Sequence, residues 1–378
     1  MKIRNTFTRL LSLFSAAVLL LTGCQNTPDV EVKKAVPLQS ATTIEGDVTP
    51  LNDIARFLAG MPGSASSPLM ASRNSEHWQR FSQNMDELWH RFSVMRQPRI
   101  AAFSRGQLGG LRSSGTLWYP FSGPDVLFAE TFFPGSNNVL LTGLEGSEML
   151  PDLGTLSPAE IDTALDGLYT SLTTSLSCSF FITKDMRVDL QRTRLKGTLP
   201  VVLVFLARLG YNVESVQMVS LDASGGLIAG HPGGWPGYVV RAQGKSIYYF
   251  TGNVADFALR SDSRYLSFVK RLGSVMTYLK SASYLMHTDE FTMIRKAILD
   301  QSYAVLQDDS GLPLSAFAGW NVNFYGSYSG VLDIFKSYYQ EDLARAFAAG
   351  GTNVSNIDFG VGYKFEAGQS ALILAQKR

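Results

Sequence analysis

Between Tyr119 and Asp125 the chain reads Tyr-Pro-Phe-Ser-Gly-Pro-Asp, an aromatic strand end followed by a hydroxyl, a lone glycine and a carboxylate. A strand that turns sharply into a helix presents free backbone amides at the carboxyl end of a sheet, where open α/β folds bind ligands. Ser122 and Asp125 are the side chains placed to orient such a ligand. Asp125 would compete with an anion for the amides, so a neutral polar ligand such as a sugar or peptide suits the turn better. Glu145 closes the next expected strand twenty residues later, the position of a ribose-binding acid in dinucleotide folds. The glycine fingerprint is missing, because Gly123 stands alone between Ser122 and Pro124, and no cofactor is expected. The simpler role for Ser122 or Asp125 is to cap the helix.

Three further stretches carry reactive groups. Gln307-Asp308-Asp309-Ser310-Gly311 puts paired carboxylates after an apolar run, and such a pair can bind a cation or share a proton. The alternating spacing of a calcium loop is absent, and Asp-Ser-Gly also makes ordinary turns. His231 and Trp235 lie in the glycine-rich run His231 to Tyr238, which could stack a sugar or peptide, or fold Trp235 onto the core. His287 precedes Thr288 and Asp289, where it could act as an acid or base or simply stand beside a helix cap. His77 and His90 are 13 residues apart, which is not the one-turn spacing of a helical metal pair, and no metal site is expected. No Gly-x-Ser-x-Gly, Ser-x-x-Lys or His-Glu-x-x-His motif occurs. Hydrolysis would therefore need Ser122, Asp125, His231 or His287 to be gathered by the fold.

The elements that must position these groups are legible in outline. Trp78, Phe81, Met85, Leu88, Trp89, Phe92 and Met95 recur at helical spacing, predicting a long amphipathic helix that ends before Pro98. Thr116 to Phe121 and Asn138 to Leu144 read as strands around a helix over Val126 to Phe133, a parallel βαβ unit. Ser157 and Glu160 bracket Pro158 as a capping box opening a helix to about Ser177. A helix over Leu199 to Leu209 and a strand over Val213 to Leu221 follow, then a long loop over 222 to 238. A hairpin turns at Gln243-Gly244. Two helices are expected over 262 to 283 and 289 to 301, with Tyr265, Phe268, Leu272, Met276 and Leu279 on the inner face of the first. Strands over Val322 to Tyr328 and Ala371 to Ala375 flank a helix over Asp342 to Ala348. Interleaved helices and strands give a mixed α/β or α+β class, one large domain with a mixed sheet flanked by helices.

The amino terminus carries Lys2, Arg4 and Arg9, an apolar run from Leu10 to Leu21, and then Leu21-Thr22-Gly23-Cys24. The run is a signal peptide over residues 1 to 23, too short for the roughly 20 residues of a membrane span. The tetrapeptide closely resembles the lipobox of bacterial lipoproteins. That resemblance implies diacylglyceryl transfer to the Cys24 sulfur, cleavage before Cys24, acylation of the new amine and a membrane partner held through the lipid. Gln25 in place of an aspartate implies the outer membrane, facing the periplasm. Residues 24 to 48 read as a polar tether and 49 to 378 as the globular domain. Removing the signal peptide leaves 30 basic against 32 acidic residues, a net charge of −2 that excludes nucleic acid as a partner. With Cys24 lipidated, Cys178 has no disulfide partner and is expected as a buried structural thiol. The functional expectation is a binding or accessory body for a small polar ligand or an envelope protein, with an envelope hydrolase as the alternative.

Overall fold

The computed structural model describes residues 50–178, 193–349 and 354–378. The lipobox, the tether and the thiol environment of Cys178 lie outside the described residues. Helices α1 (Leu51–Leu58), α2 (Met70–Arg73), α3 (Glu76–Met95) and α4 (Gln97–Phe103) come first. Pro98 sits in the first turn of α4, where its missing N–H leaves no helical bond unmade. Strand β1 (Thr116–Tyr119), helix α5 (Val126–Phe132) and strand β2 (Asn138–Gly143) form the expected parallel unit, with Leu117 beside Val139 and Tyr119 beside Leu141. Helix α6 (Pro158–Cys178) opens on the expected box: the Ser157 N–H donates to Glu160 Oε2 at 3.0 Å, and the Glu160 N–H returns to Ser157 Oγ at 3.4 Å.

After helix α7 (Leu199–Arg208) the chain makes an antiparallel group, β3 (Val213–Leu221), β4 (Leu227–Ala229), β5 (Gly234–Ala242) and β6 (Lys245–Thr251). The expected loop over 222 to 238 thus contains β4 and the start of β5. Two of its glycines, Gly234 and Gly237, are strand residues where neighbours press close: a Cβ on Gly237 would meet the Tyr249 carbonyl and the Phe250 ring. Helices α8 (Asp256–Ser261) and α9 (Arg264–Arg271) lead to β7 (Val275–Leu279), and α10 (Thr292–Gln301) leads to β8 (Ser302–Asp308). The long helix expected over 262 to 283 is therefore corrected to a short helix and a central strand. Gly273, at φ 76°, ends the helix. All five residues of β7 are buried, so Met276 and Leu279 belong to a doubly covered strand whose apolar run mimics a helix face. Strand β9 (Asn321–Gly326), helix α11 (Glu341–Ala348), and strands β10 (Val354–Ser355) and β11 (Ala371–Gln376) complete the described chain.

All these strands join one mixed sheet in the order β10-β9-β11-β8-β7-β1-β2-β6-β5-β3-β4. The run β8-β7-β1-β2-β6 is parallel throughout, and β5 and β11 close it on either side as antiparallel neighbours. Side chains alternate between two cores. Tyr119, Leu141, Tyr249 and Tyr278 face α1, α3, α5, α6 and α7, while Trp118, Leu140, Phe250 and Leu279 face α8, α9 and α10. Helices on both faces make the class α/β, and the parallel order is that of a doubly wound sheet. β1 is flanked by β2, which follows it in the chain, and by β7, which comes much later. The crossovers therefore depart in opposite directions at β1, and the crevice at its carboxyl end is where such sheets hold ligands.

Candidate functional site

Six of the seven candidate residues, Ser122, Asp125, Glu145, Trp235, Asp308 and Asp309, fall along this carboxyl edge. His231 lies apart, exposed on the β4–β5 connection with Nε2 3.1 Å from the Gly237 carbonyl oxygen. The edge is also where the backbone is strained. Of six non-glycine residues with positive φ among the described residues, Phe121, Trp235, Ser281, Ser283 and Tyr284 lie there, and the sixth, Gln243, makes the β5–β6 hairpin turn. Bulky residues in this conformation cost about 1–3 kcal/mol each and cluster where a structure is built for a task.

The middle of the edge is a buried network. Asp125 caps α5, its Oδ1 accepting the Phe128 N–H at 3.1 Å. Its Oδ2 accepts the Tyr119 hydroxyl at 2.9 Å and lies 2.6 Å from Lys280 Nζ. Asp125 and Lys280 are both about 2 % exposed, and the ammonium rests 3.7 Å from the centre of the Phe128 ring. Burial pushes Asp125 up and Lys280 down, while each partner favours the other's charge. The expectation that Asp125 merely caps a helix is thus enlarged: it also neutralises a buried lysine that the sequence did not single out. Ser122 is turned into the backbone, donating to the Gly123 carbonyl at 2.9 Å and accepting the Thr142 N–H at 2.9 Å. Of the helix amides expected to receive a ligand, that of Phe128 is taken by Asp125 and that of Val126 by the Pro124 carbonyl, and Ser122 ties the turn to β2.

Asp308 and Asp309 lie one strand further, beyond Lys280. Asp308 accepts the Ser281 N–H at 2.8 Å, the Ser310 N–H at 3.0 Å and the Ser310 hydroxyl at 2.5 Å. Asp309 accepts the Tyr284 hydroxyl at 2.6 Å. Burial, reinforced by the neighbouring Asp309, pushes Asp308 up to about 7. Asp309 is also raised by burial, with the Lys364 charge opposing. These carboxylates pin the left-handed run Ser281, Ser283 and Tyr284, while the Tyr363 hydroxyl donates to the Ser281 carbonyl at 2.9 Å. Among the described residues no cluster of three or more His, Cys, Asp or Glu could hold a metal.

Among the described residues no hydrogen bond or ion pair joins any two of Ser122, Asp125, His231 and His287. His287 packs edge-on against Tyr284 and Tyr338, and burial pulls it down to about 4, so it is neutral at pH 7.

Toward β6 the same edge opens. Glu145 is buried beneath the turn, its carboxylate 3.4 Å from where Gly123 would carry a Cβ, and the Tyr249 hydroxyl donates to its carbonyl at 2.8 Å. A covered carboxylate of this kind is not presented to a ribose. Just past β6 lies an open cavity of about 370 Å³, lined by Trp235, Thr251, Asn253, Phe257, Ser261 and Asp262. Trp235 stacks on Tyr265 at 4.5 Å and 17°. Tyr265 is held in turn by the Trp118 indole N–H, 2.9 Å from its hydroxyl, and by Thr142 at 2.5 Å. Of these lining residues only Trp235 was legible beforehand; Phe257 and Ser261 lie in a helix whose polar face gives no periodic signal. No family model, curated protein or solved structure matches this chain.

Proposed function

We propose that the chain is a lipid-anchored cell-envelope protein whose body binds a small polar ligand at the carboxyl edge of its sheet. The observation that carries the binding reading is the coincidence, at one edge, of the strand-order switch point, five strained non-glycine residues and an open cavity. The anchor rests on the lipobox of residues 21 to 24, and Gln25 favours the outer membrane, periplasmic side. Among the described residues no helix is long and apolar enough to cross a membrane, so on this reading the acyl chains alone hold the protein.

Two measurements test the two halves. Cys24→Ala should move the protein from the membrane to the soluble fraction, and a variant that still pelleted after a salt wash would contradict the single anchor. For binding, Phe257→Ala at the cavity should lose complementation of a deletion strain, whereas Val94→Ser, exposed on α3, should retain it. Equal activity of both variants would contradict a site at the carboxyl edge.

A further inference from the structure

The cavity beyond β6 differs from the rest of the carboxyl edge in being nearly neutral and only partly used by the protein's own hydrogen bonds. Asp262 is its one ionisable lining group, and that carboxylate is already engaged: Oδ1 accepts the Arg264 N–H at 3.1 Å and lies 3.6 Å from Arg264 Nε. A charged ligand would find no uncompensated counter-charge there. The neutral polar groups are open to partners. Asn253 spends its Oδ1 on the Ala255 N–H at 2.9 Å, leaving the amide hydrogens for a ligand. The Ser261 hydroxyl makes no hydrogen bond among the described residues, and its residue is exposed. Thr251 donates to the Glu145 carbonyl at 2.8 Å and keeps its capacity to accept.

The apolar part is preorganised. Trp235 sits at φ 55°, a conformation unfavourable for so bulky a residue, and is fixed between Tyr265 on one side and Gly252 on the other. A side chain at position 252 would run into the indole, so the glycine is what admits the ring. Phe257, by contrast, leaves 56 % of its surface in solvent at the rim, a large apolar side chain that the described residues leave more than half uncovered. A volume of about 370 Å³ lies within the roughly 300–1,000 Å³ of small-molecule sites.

We infer that this cavity is a subsite for a neutral sugar ring, its C–H face laid against Phe257 and the Trp235 edge and its hydroxyls bonded to Asn253, Ser261, Thr251 and Asp262. A pyranose is the small neutral molecule class that carries an apolar C–H face and a rim of paired donor–acceptor hydroxyls together, which is the pattern of the lining. The inference rests on the carboxyl-edge reading and names its ligand class.

The test uses the full chain purified in detergent, titrated calorimetrically with glucose, N-acetylglucosamine, maltose and cellobiose, with adenosine and choline as contrasting probes. Saturable binding of at least one of the four sugars is expected, weakened about tenfold or more by Phe257→Ala and by Ser261→Ala together with Asn253→Asp, which keeps the oxygen that holds the Ala255 N–H, and unchanged by Val94→Ser. Thermal melts of the same variants should match the parent, separating lost contact from lost fold. Binding by none of the four sugars, or binding that survives these substitutions, overturns the sugar assignment. Adenosine or choline binding that Phe257→Ala abolishes would overturn the sugar class while leaving the carboxyl-edge site standing. Loss of neither binding nor complementation in Phe257→Ala would remove both.

Discussion

Around β1, β7 and β8 the carboxyl edge buries Asp125, Lys280, Asp308 and Asp309, each carboxylate and the ammonium met by a protein partner. Around β6, at most four strand positions away and on the order of 19 Å at about 4.8 Å per strand, it holds an open, nearly neutral cavity with unspent hydroxyl and amide groups. Both stretches are strained, yet the strain does different things. At Ser281 to Tyr284 it is clamped by the protein's own carboxylates, and the result is a rigid seam between strands. At Trp235 it presents an aromatic edge to solvent-accessible space. Strain and buried charge thus identify where the fold is over-determined, while unspent polar groups beside exposed apolar surface identify where it is ready to receive something.

The largest effect is expected at the seam. Asp125→Ala removes the counter-charge and the helix cap together, leaving Lys280 buried without its ion-pair partner, and should cost about 3–5 kcal/mol in denaturant unfolding. Pairing Asp125→Ala with Lys280→Met should recover part of that loss. If Asp125→Ala costs no more than the 0.5–2 kcal/mol typical of a cap, the pair is not the clamp described here.

Acidity probes the next carboxylate. Asp308 has an ordinary value of 3.8 and is pushed up to about 7 in the fold, so between these values the folded chain holds the proton more tightly. Its contribution to stability therefore falls as pH rises from about 4 to about 7, by an amount on the order of a few kcal/mol. Asp308→Asn should flatten that part of the curve, read as the difference between variant and parent melts across the range. His287, pulled down to about 4, acts in the opposite sense in both proteins and cancels in the difference. Curves that run parallel through pH 7 would show that Asp308 does not titrate there.

How much of this was legible beforehand follows from what each signal depends on. The β1–α5–β2 unit, the Ser157–Glu160 box and the Gln243-Gly244 hairpin are local, set by spacing and turn chemistry within a few residues, and they formed as read. β7 was missed because its burial comes from helices on both sides, and a continuous apolar run carries no period to distinguish it from α9, which precedes it. Lys280 was missed for the same reason: its partner Asp125 lies 155 residues earlier and meets it only because β7 pairs with β1. Asp125, Asp308 and Asp309 are recognisable from sequence as reactive types at strand ends, which marks the edge but not their burial. Phe257, Ser261 and Asp262 have no local signature, since the cavity they share is a product of where α8 crosses the end of β6.

At the cavity the expected effects on stability are smaller. Gly252→Ala should displace the Trp235 ring and cost about 1–3 kcal/mol, as overpacking does, with a change in tryptophan fluorescence. A melt and spectrum identical to the parent would mean that Trp235 is not held as described. Phe257→Ala, with its side chain already in solvent, should change stability by no more than about 0.5 kcal/mol.

Phe257→Ala touches the open end of the edge and leaves the clamped seam intact. The decisive measurement is a paired one on full-length Phe257→Ala: its melting temperature beside its ability to complement a deletion strain. An unchanged melt with lost complementation is the predicted result. An unchanged melt with full complementation would contradict the assignment of function to the cavity.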